Sequence, residues 1–240
     1  MRILFILLLI FQFNFVKADE INYLLKIPNL KTYDLKSKNG VKYLTTKKSF
    51  QIGAKNNISC EKLDKENLDS KFTLIKNNLD LYNQEFLKKI NLRFVVLCQN
   101  LFISKINTAG IPDYKKRTLI LDLNFNDKYF ERVIHHEVFH LIQDSFPKIF
   151  NEEVWSKFNK KDFEYANCST CTNKLGLDIY NNTNGFLTEY SKTIPSEDMA
   201  EVYSFLITDK ENLNRIKEID PVIFNKVEFI NSKITEINNL

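Results

Sequence analysis

The sequence predicts an α+β fold, because helical and β-rich segments occupy separate stretches of its 240 residues. Apolar residues recur every three or four positions between about 64 and 89, which is typical of one face of a helix. Three β-rich runs follow at residues 92–98, 101–106 and 118–123. Residues 110–113 contain glycine and proline and predict a turn. Helical patterns return after residue 126.

The helical part begins at Asn126 and Asp127, which are good N-capping residues. A helical stripe of apolar residues follows them to about Asp144. Residues 148–195 show no regular pattern. Ser196 is expected to cap another helix that runs to about Thr208, and two further helices are expected near 210–218 and 221–236.

Residues 1–18 resemble a secretory signal peptide. Arg2 precedes an apolar run over residues 3–16, and Ala18 offers a small residue for cleavage. The run is shorter than the ~20 residues that a membrane span needs. We therefore expect a secreted or periplasmic monomer without stable membrane insertion. Residues 19–62 predict an N-terminal extension with one or two strands, and residues 63–240 the main domain.

Charge and cysteine content narrow the class of protein. Loss of Arg2 and Lys17 would lower the net charge from +4 to +2, which argues against nucleic acid as a partner. Four cysteines in an exported chain make disulfides plausible. We favour pairing Cys60 with Cys98 and Cys168 with Cys171, one of three possible connectivities. A redox or zinc-binding role for the 168–171 pair is the alternative.

All three histidines of the protein lie in the run His135-His136-Glu137-Val138-Phe139-His140. On a helix, His136 and His140 point the same way and can bind one Zn²⁺ ion per chain, while Glu137 can reach a water molecule at that ion. A buried helix could also carry two such histidines without any metal. The concentration of every histidine here favours catalytic zinc. His135 faces away and is expected either to orient a ligand or to pack in the core.

A hydrolytic zinc site usually has three protein ligands. No histidine remains for the third, which must then be a carboxylate or a cysteine. Cysteines that are prone to form disulfides are poor candidates, so an acidic residue is expected. Glu197 and Glu201 are four residues apart in the predicted helix after Ser196, and either could approach the metal. They could equally stabilise the helix dipole. Glu153 and Glu164 are weaker candidates.

The combination of His136-Glu137-Val138-Phe139-His140, Tyr190 and Glu197-Asp198-Met199-Ala200-Glu201 resembles the catalytic domain of anthrax lethal factor and the Pro-Pro endopeptidases. The double histidine is also similar to a group of bacterial secreted zinc-binding metallopeptidases. The resemblance covers about residues 118–238. It implies a zincin-like fold, in which a small mixed sheet packs on the metal-binding helix and the C-terminal part is mostly helical.

The resemblance also implies residue roles. His136, His140 and Glu197 would bind zinc, Glu137 would be the general base, and Tyr190 would donate a hydrogen bond to the oxyanion. Glu201 would orient a ligand histidine. The run 118–123 would present the free strand edge that aligns a peptide substrate.

The expected activity is that of a secreted zinc endopeptidase. Two alternatives stay open: an inactive secreted zinc-binding protein that acts as a binding module, and a zinc hydrolase with a non-peptide substrate.

Overall fold

The computed structural model describes residues 30–34 and 36–239. The expected signal peptide lies outside these residues. Eight strands form one mixed sheet: β1 Leu30–Asp34, β2 Lys42–Thr46, β3 Phe50–Ile52, β4 Ile58–Glu61, β5 Phe94–Ile103, β6 Ile106–Asn107, β7 Gly110–Asp113 and β8 Thr118–Asp122. In the described residues, seven α-helices accompany them: α1 Lys65–Leu79, α2 Gln84–Lys89, α3 Asp127–Ser145, α4 Glu152–Ser156, α5 Pro195–Thr208, α6 Lys210–Ile219 and α7 Pro221–Asn238.

The long strand β5 organises the sheet. Its first half pairs in parallel with β2 on one side and with β8 on the other. Its second half pairs with β4 and β6 in the antiparallel sense. The predicted runs 92–98 and 101–106 therefore lie mostly in one strand, β5. The short strand β6, Ile106–Asn107, follows β5 and pairs with it. Asn100, at a positive φ of 54°, interrupts the regular backbone between the two halves.

The expected N-terminal extension is not separate from the main domain. In the described part of residues 19–62, β2 and β4 both pair directly with β5, while β1 and β3 pair with β2 and β4. A boundary at residue 63 thus cuts through one sheet. The sequence did not predict this because strand partners are chosen by contacts distant in sequence.

The strand at the sheet edge beside α3 is β7, whose residues were predicted as a turn. Among the described residues it pairs only with β8, and β8 lies between β7 and β5. The expectation that residues 118–123 form the free edge is therefore wrong. Pro112 fits an edge position, because the N–H group that it lacks would not be needed by a neighbouring strand.

Alternating side chains of the sheet feed two apolar clusters. Val95 and Leu97 of β5 point to the helices, whereas Val96 and Cys98 point to the opposite face. The helical face forms the larger core, in which α3 packs against β7, α1 and α5. This packing fixes the position of the central helix relative to the free strand edge.

Two other helix predictions need correction. The helix expected over 64–89 is broken between α1 and α2, where the Asn83 side chain accepts a hydrogen bond from the Phe86 N–H and starts a new helix. Ser196 does not cap α5, which starts at Pro195 after Ile194. Asn126 does cap α3, through a hydrogen bond from the Lys128 N–H.

The α+β class is confirmed. Among the described residues, no helix combines the length and the apolar character needed to cross a bilayer. Both expected cysteine pairs, Cys60–Cys98 and Cys168–Cys171, are bonded as disulfides.

Candidate metal centre

Three side chains converge where α3 meets α5. The Nε2 atoms of His136 and His140 are 3.1 Å apart, and Oε2 of Glu197 lies 2.8 Å from the first and 3.1 Å from the second. The histidines are one helical turn apart on α3, while Glu197 is in the first turn of α5. These three residues could hold a metal ion.

The donor atoms fit zinc. The Nδ1 atom of His136 lies 3.0 Å from Oε1 of Glu201, a carboxylate that can only accept a hydrogen bond. Nδ1 is therefore the nitrogen that carries the proton when the ring is neutral, and Nε2 is then available to bind a metal ion. Two imidazole nitrogens and a carboxylate oxygen are a common ligand set of hydrolytic zinc sites, which keep a fourth position open.

Electrostatics favour a positive charge at this point. Burial disfavours a charged His136, but hydrogen bonds with Glu197 and Glu201 outweigh burial and raise its pKa to about 10. Burial would also raise the pKa of Glu197, yet His140 and His136 hold that pKa well below its usual range. A bound cation would take the place of the proton that these groups otherwise attract.

Glu201 holds His136 in place and is not one of the three candidate metal ligands, which form the donor group. Its second oxygen accepts a hydrogen bond from the Thr188 hydroxyl at 2.9 Å, and Arg132 lies 3.8 Å away. With all of these partners the carboxylate is fully engaged and only 2% exposed. Between Glu197 and Glu201, the structure therefore places Glu197 among the donors.

Glu137 and Tyr190 flank the donor group. Burial raises the pKa of Glu137, opposed by His136 and His140. Tyr190 begins a short 3₁₀ turn, and its ring centroid lies 5.9 Å from that of His136. Burial, together with Glu197 and Glu137, raises the pKa of Tyr190, so its hydroxyl keeps its proton at neutral pH. Both side chains line a cleft of 630 Å³ that also contains the two histidines and Glu197.

His135 faces the other way and packs in the core. Its Nε2 is 2.8 Å from Oδ1 of Asn78, and its Nδ1 is 2.6 Å from the Tyr82 hydroxyl. Burial lowers the pKa of His135 to about 4, which keeps the ring neutral. The alternative that it orients a zinc ligand is wrong, because both ring nitrogens are occupied by residues outside the donor group.

The weaker acidic candidates lie outside the donor group. Among the described residues, neither Glu153 nor Glu164 belongs to the group that could hold a metal. The sequence interpretation also missed Gly110. A Cβ atom at this position would lie 2.5 Å from Cγ of Glu137, so only glycine lets β7 approach the carboxylate. A glycine between β-rich runs is a known signal of such close approach.

A mixed sheet with a free antiparallel edge, set beside a helix that carries His-Glu-x-x-His, defines the class of zincin-like α+β proteins. The chain belongs to a family described as "Putative zinc-binding metallo-peptidase", whose model matches residues 95–232. A comparison with curated proteins finds no match.

A solved structure has a similar fold. It is described as "a putative zinc-binding metallo-peptidase" from Bacteroides caccae and shares 17% sequence identity with this chain. The TM-score is 0.52, and the match covers 91% of this chain and 85% of the other. At this identity the likeness supports the fold alone.

Proposed function

We propose that the chain is a zinc-dependent endopeptidase that acts outside the cytoplasm, with one zinc ion per monomer. The observation that carries this proposal is the convergence of His136, His140, Glu197, Glu137 and Tyr190 in one cleft beside a free strand edge. Location outside the cytoplasm rests on the signal-like residues 1–18 and is supported by the two disulfides.

His136, His140 and Glu197 would hold the zinc ion, and Glu201 fixes the ring of His136 through Nδ1. A bound zinc ion would lower the pKa of a water molecule and polarise the carbonyl group under attack. Glu137 is the general base that takes the proton of the attacking water. Its raised pKa suits this role, because a buried carboxylate holds a proton more readily at neutral pH.

Tyr190 donates a hydrogen bond to the oxyanion that forms at the substrate carbonyl. A donor held in place before the reaction is worth about 10²–10³ in rate. The free edge of β7 favours an extended peptide over other carbonyl substrates, because exposed backbone groups can pair with a peptide backbone. The presence of both Glu137 and Tyr190 also favours an enzyme over an inactive zinc-binding module.

The test is to compare the mature protein with Glu137→Gln for zinc content and for cleavage of a diverse peptide library. We expect about one zinc per chain in both proteins and a loss of cleavage of at least about 10²-fold in the variant. Glu153→Gln, an exposed glutamate on α4, is the matched control and should cleave normally.

Absence of bound zinc, or equal cleavage by the Glu137 variant, would contradict the proposal. Zinc binding without any cleavage by the unmodified protein would favour the inactive binding module. Hydrolysis of ester substrates without peptide cleavage would favour a zinc hydrolase of another class.

A further inference from the structure

Arg132 lies between the metal centre and the segment of the chain that leads to Tyr190. It precedes His136 by four residues on α3, so the two side chains lie on the same face of the helix. The Arg132 side chain is only 12% exposed, although arginines are mostly exposed in proteins. The reaction proposed above assigns no role to this largely buried cation.

One terminal nitrogen of the guanidinium group, Nη2, contacts two separate parts of the chain. It lies 3.8 Å from Oε2 of Glu201, whose other oxygen, Oε1, lies 3.0 Å from Nδ1 of His136. It also donates a hydrogen bond to the Leu177 carbonyl at 2.6 Å. Because arginine keeps its positive charge in proteins, the first contact is an ion pair with the carboxylate that orients a candidate metal ligand.

Two aromatic rings hold the guanidinium group in this position. Its central carbon lies 4.4 Å from the ring centroid of Phe205 on α5 and 5.5 Å from that of Tyr129 on α3. Phe205 follows Glu201 by one helical turn, so α5 supplies both the ring and the carboxylate. A flat guanidinium group can contact a ring with its face while its edge donates hydrogen bonds, and an ammonium group cannot. These contacts therefore fit arginine and not lysine.

The Leu177 carbonyl belongs to a folded-back segment, residues 176–190, that ends at Tyr190. The neighbouring Gly176 carbonyl accepts a hydrogen bond from the Tyr190 N–H at 3.0 Å. An antiparallel bridge and a further backbone hydrogen bond join the two arms of the segment. Arg132 thus holds the same short stretch of chain to which the backbone of Tyr190 is attached.

We propose that Arg132 is a positioning residue for both halves of the site. Through Glu201 it fixes the ring of His136, the proposed zinc ligand. Through the Leu177 carbonyl it fixes the segment that presents Tyr190, the proposed oxyanion donor. The inference rests on the proposed peptidase function, and it adds to that function a residue that contacts neither zinc nor substrate.

The first measurement is the zinc affinity of the mature protein in competition with a chelator, which needs no substrate. Arg132→Met removes the charge and the hydrogen bond, and we expect the affinity to fall about tenfold, as when other groups that orient metal ligands are lost. Arg132→Lys should recover part of this loss, because it restores a charge near Glu201. Arg215→Met, at an exposed position on α6, is the matched control and should bind zinc normally.

A double variant separates positioning from a general loss of stability. If Arg132 acts on the metal through Glu201, Arg132→Met should lower the zinc affinity by less than about threefold when Glu201→Gln is already present.

The second measurement is peptide cleavage by the same proteins at saturating zinc. Arg132→Met should lower kcat by about tenfold with a smaller change in KM, because an oxyanion donor acts on the transition state and not on the bound substrate. In a Tyr190→Phe background, the same substitution should lower kcat by less than about threefold. Arg132→Lys should recover zinc affinity more than kcat, since lysine lacks the second set of donors.

Unchanged zinc affinity and unchanged kcat in Arg132→Met would overturn the positioning role. Fully additive effects in both double variants would also overturn it, because Arg132 would then act independently of Glu201 and Tyr190. Should Arg132→Met fail to fold, Arg132→Lys carries both tests, with smaller changes in the same directions. A protein that binds zinc and cleaves no peptide would refute the peptidase function, and the zinc affinities would then decide the role of Arg132.

Discussion

At the scale of single residues, the position of Glu137 depends on the absence of a side chain at Gly110. The strand β7 passes so close to α3 that a Cβ atom at Gly110 would lie 2.5 Å from Cγ and 2.9 Å from Cδ of the glutamate. The same contact packs the carboxylate against the free edge of the sheet. The glycine thus couples the proposed general base to the strand on which a peptide would lie.

Gly110→Ala should lower kcat by about 10²-fold, because displacement of a catalytic group by about 1 Å has an effect of this size. Zinc content should stay near one per chain, since the added methyl group would meet Glu137 and not a donor residue. Steady-state kinetics and metal analysis measure the two quantities.

Gly40→Ala is the control for this substitution. Its Cβ atom would lie 3.0 Å from Nε2 of Gln84, and neither residue lines the cleft. Because Gly40 has a positive φ of 81°, this variant should lose some stability and keep its kcat. An unchanged kcat in Gly110→Ala would show that Glu137 tolerates displacement or is not the general base.

At the scale of structural elements, the two disulfides have different positions. Cys60–Cys98 joins β4 to β5 inside the smaller apolar cluster. Cys168–Cys171 closes a short surface loop whose inner residues, Ser169 and Thr170, line the main cleft. One disulfide therefore holds the sheet together, while the other shapes the site.

Cys168→Ser/Cys171→Ser should lower kcat/KM by about tenfold, because binding a substrate would then require ordering of the loop. The melting temperature should change little. Cys60→Ala/Cys98→Ala is the comparison, and it should lower the free energy of unfolding by about 2–4 kcal/mol. Thermal unfolding and peptide cleavage of both variants measure these effects. The assignment fails if the 168–171 variant loses stability and keeps full activity.

At the scale of the whole molecule, Asp220 ties the irregular segment around the site to the C-terminal helix. One of its oxygens accepts hydrogen bonds from the Val222 and Ile223 N–H groups and caps α7. The other accepts from the Thr183 hydroxyl and from the Gly185 N–H at 2.7 Å. Through these contacts, α7 fixes the segment that leads to Tyr190.

This carboxylate makes stability depend on pH. Burial alone would raise the pKa of Asp220, but the hydrogen bonds from Thr183, Gly185, Ile223 and Val222 lower it below its usual range. The folded state thus favours the charged form. The stabilisation is present above the unfolded-state pKa of about 3.9 and is lost as pH falls through the lower folded-state pKa.

Asp220→Asn should therefore be less stable than the unmodified protein at pH 7, by about 1–2 kcal/mol. The difference should shrink as pH falls below about 4. Denaturant unfolding from pH 3 to pH 7 measures this change. Asp162→Asn, at an exposed position, is the control. A constant difference across the pH range would exclude the charge of Asp220 as its source.

Neighbouring residues show where prediction from sequence stops. Glu197 faces His136 and His140. Asp198, in contrast, points into the core and accepts hydrogen bonds from Lys226 at 2.6 Å and Trp155 at 2.8 Å. His135 and His136 divide in the same way. The two side chains of each pair have the same kind of functional group. The direction in which each side chain points is decided by the elements packed around it.

The sequence by itself determined the α3 helix, its Asn126 cap and the common direction of His136 and His140, because helix periodicity is local. It also predicted both disulfide pairs. Only the tertiary structure decided that β7 is the free edge, that residues 30–62 complete the sheet in their described part, and that Glu197 meets histidines 57 or more residues away. Those outcomes depend on packing between distant segments, for which no local pattern exists.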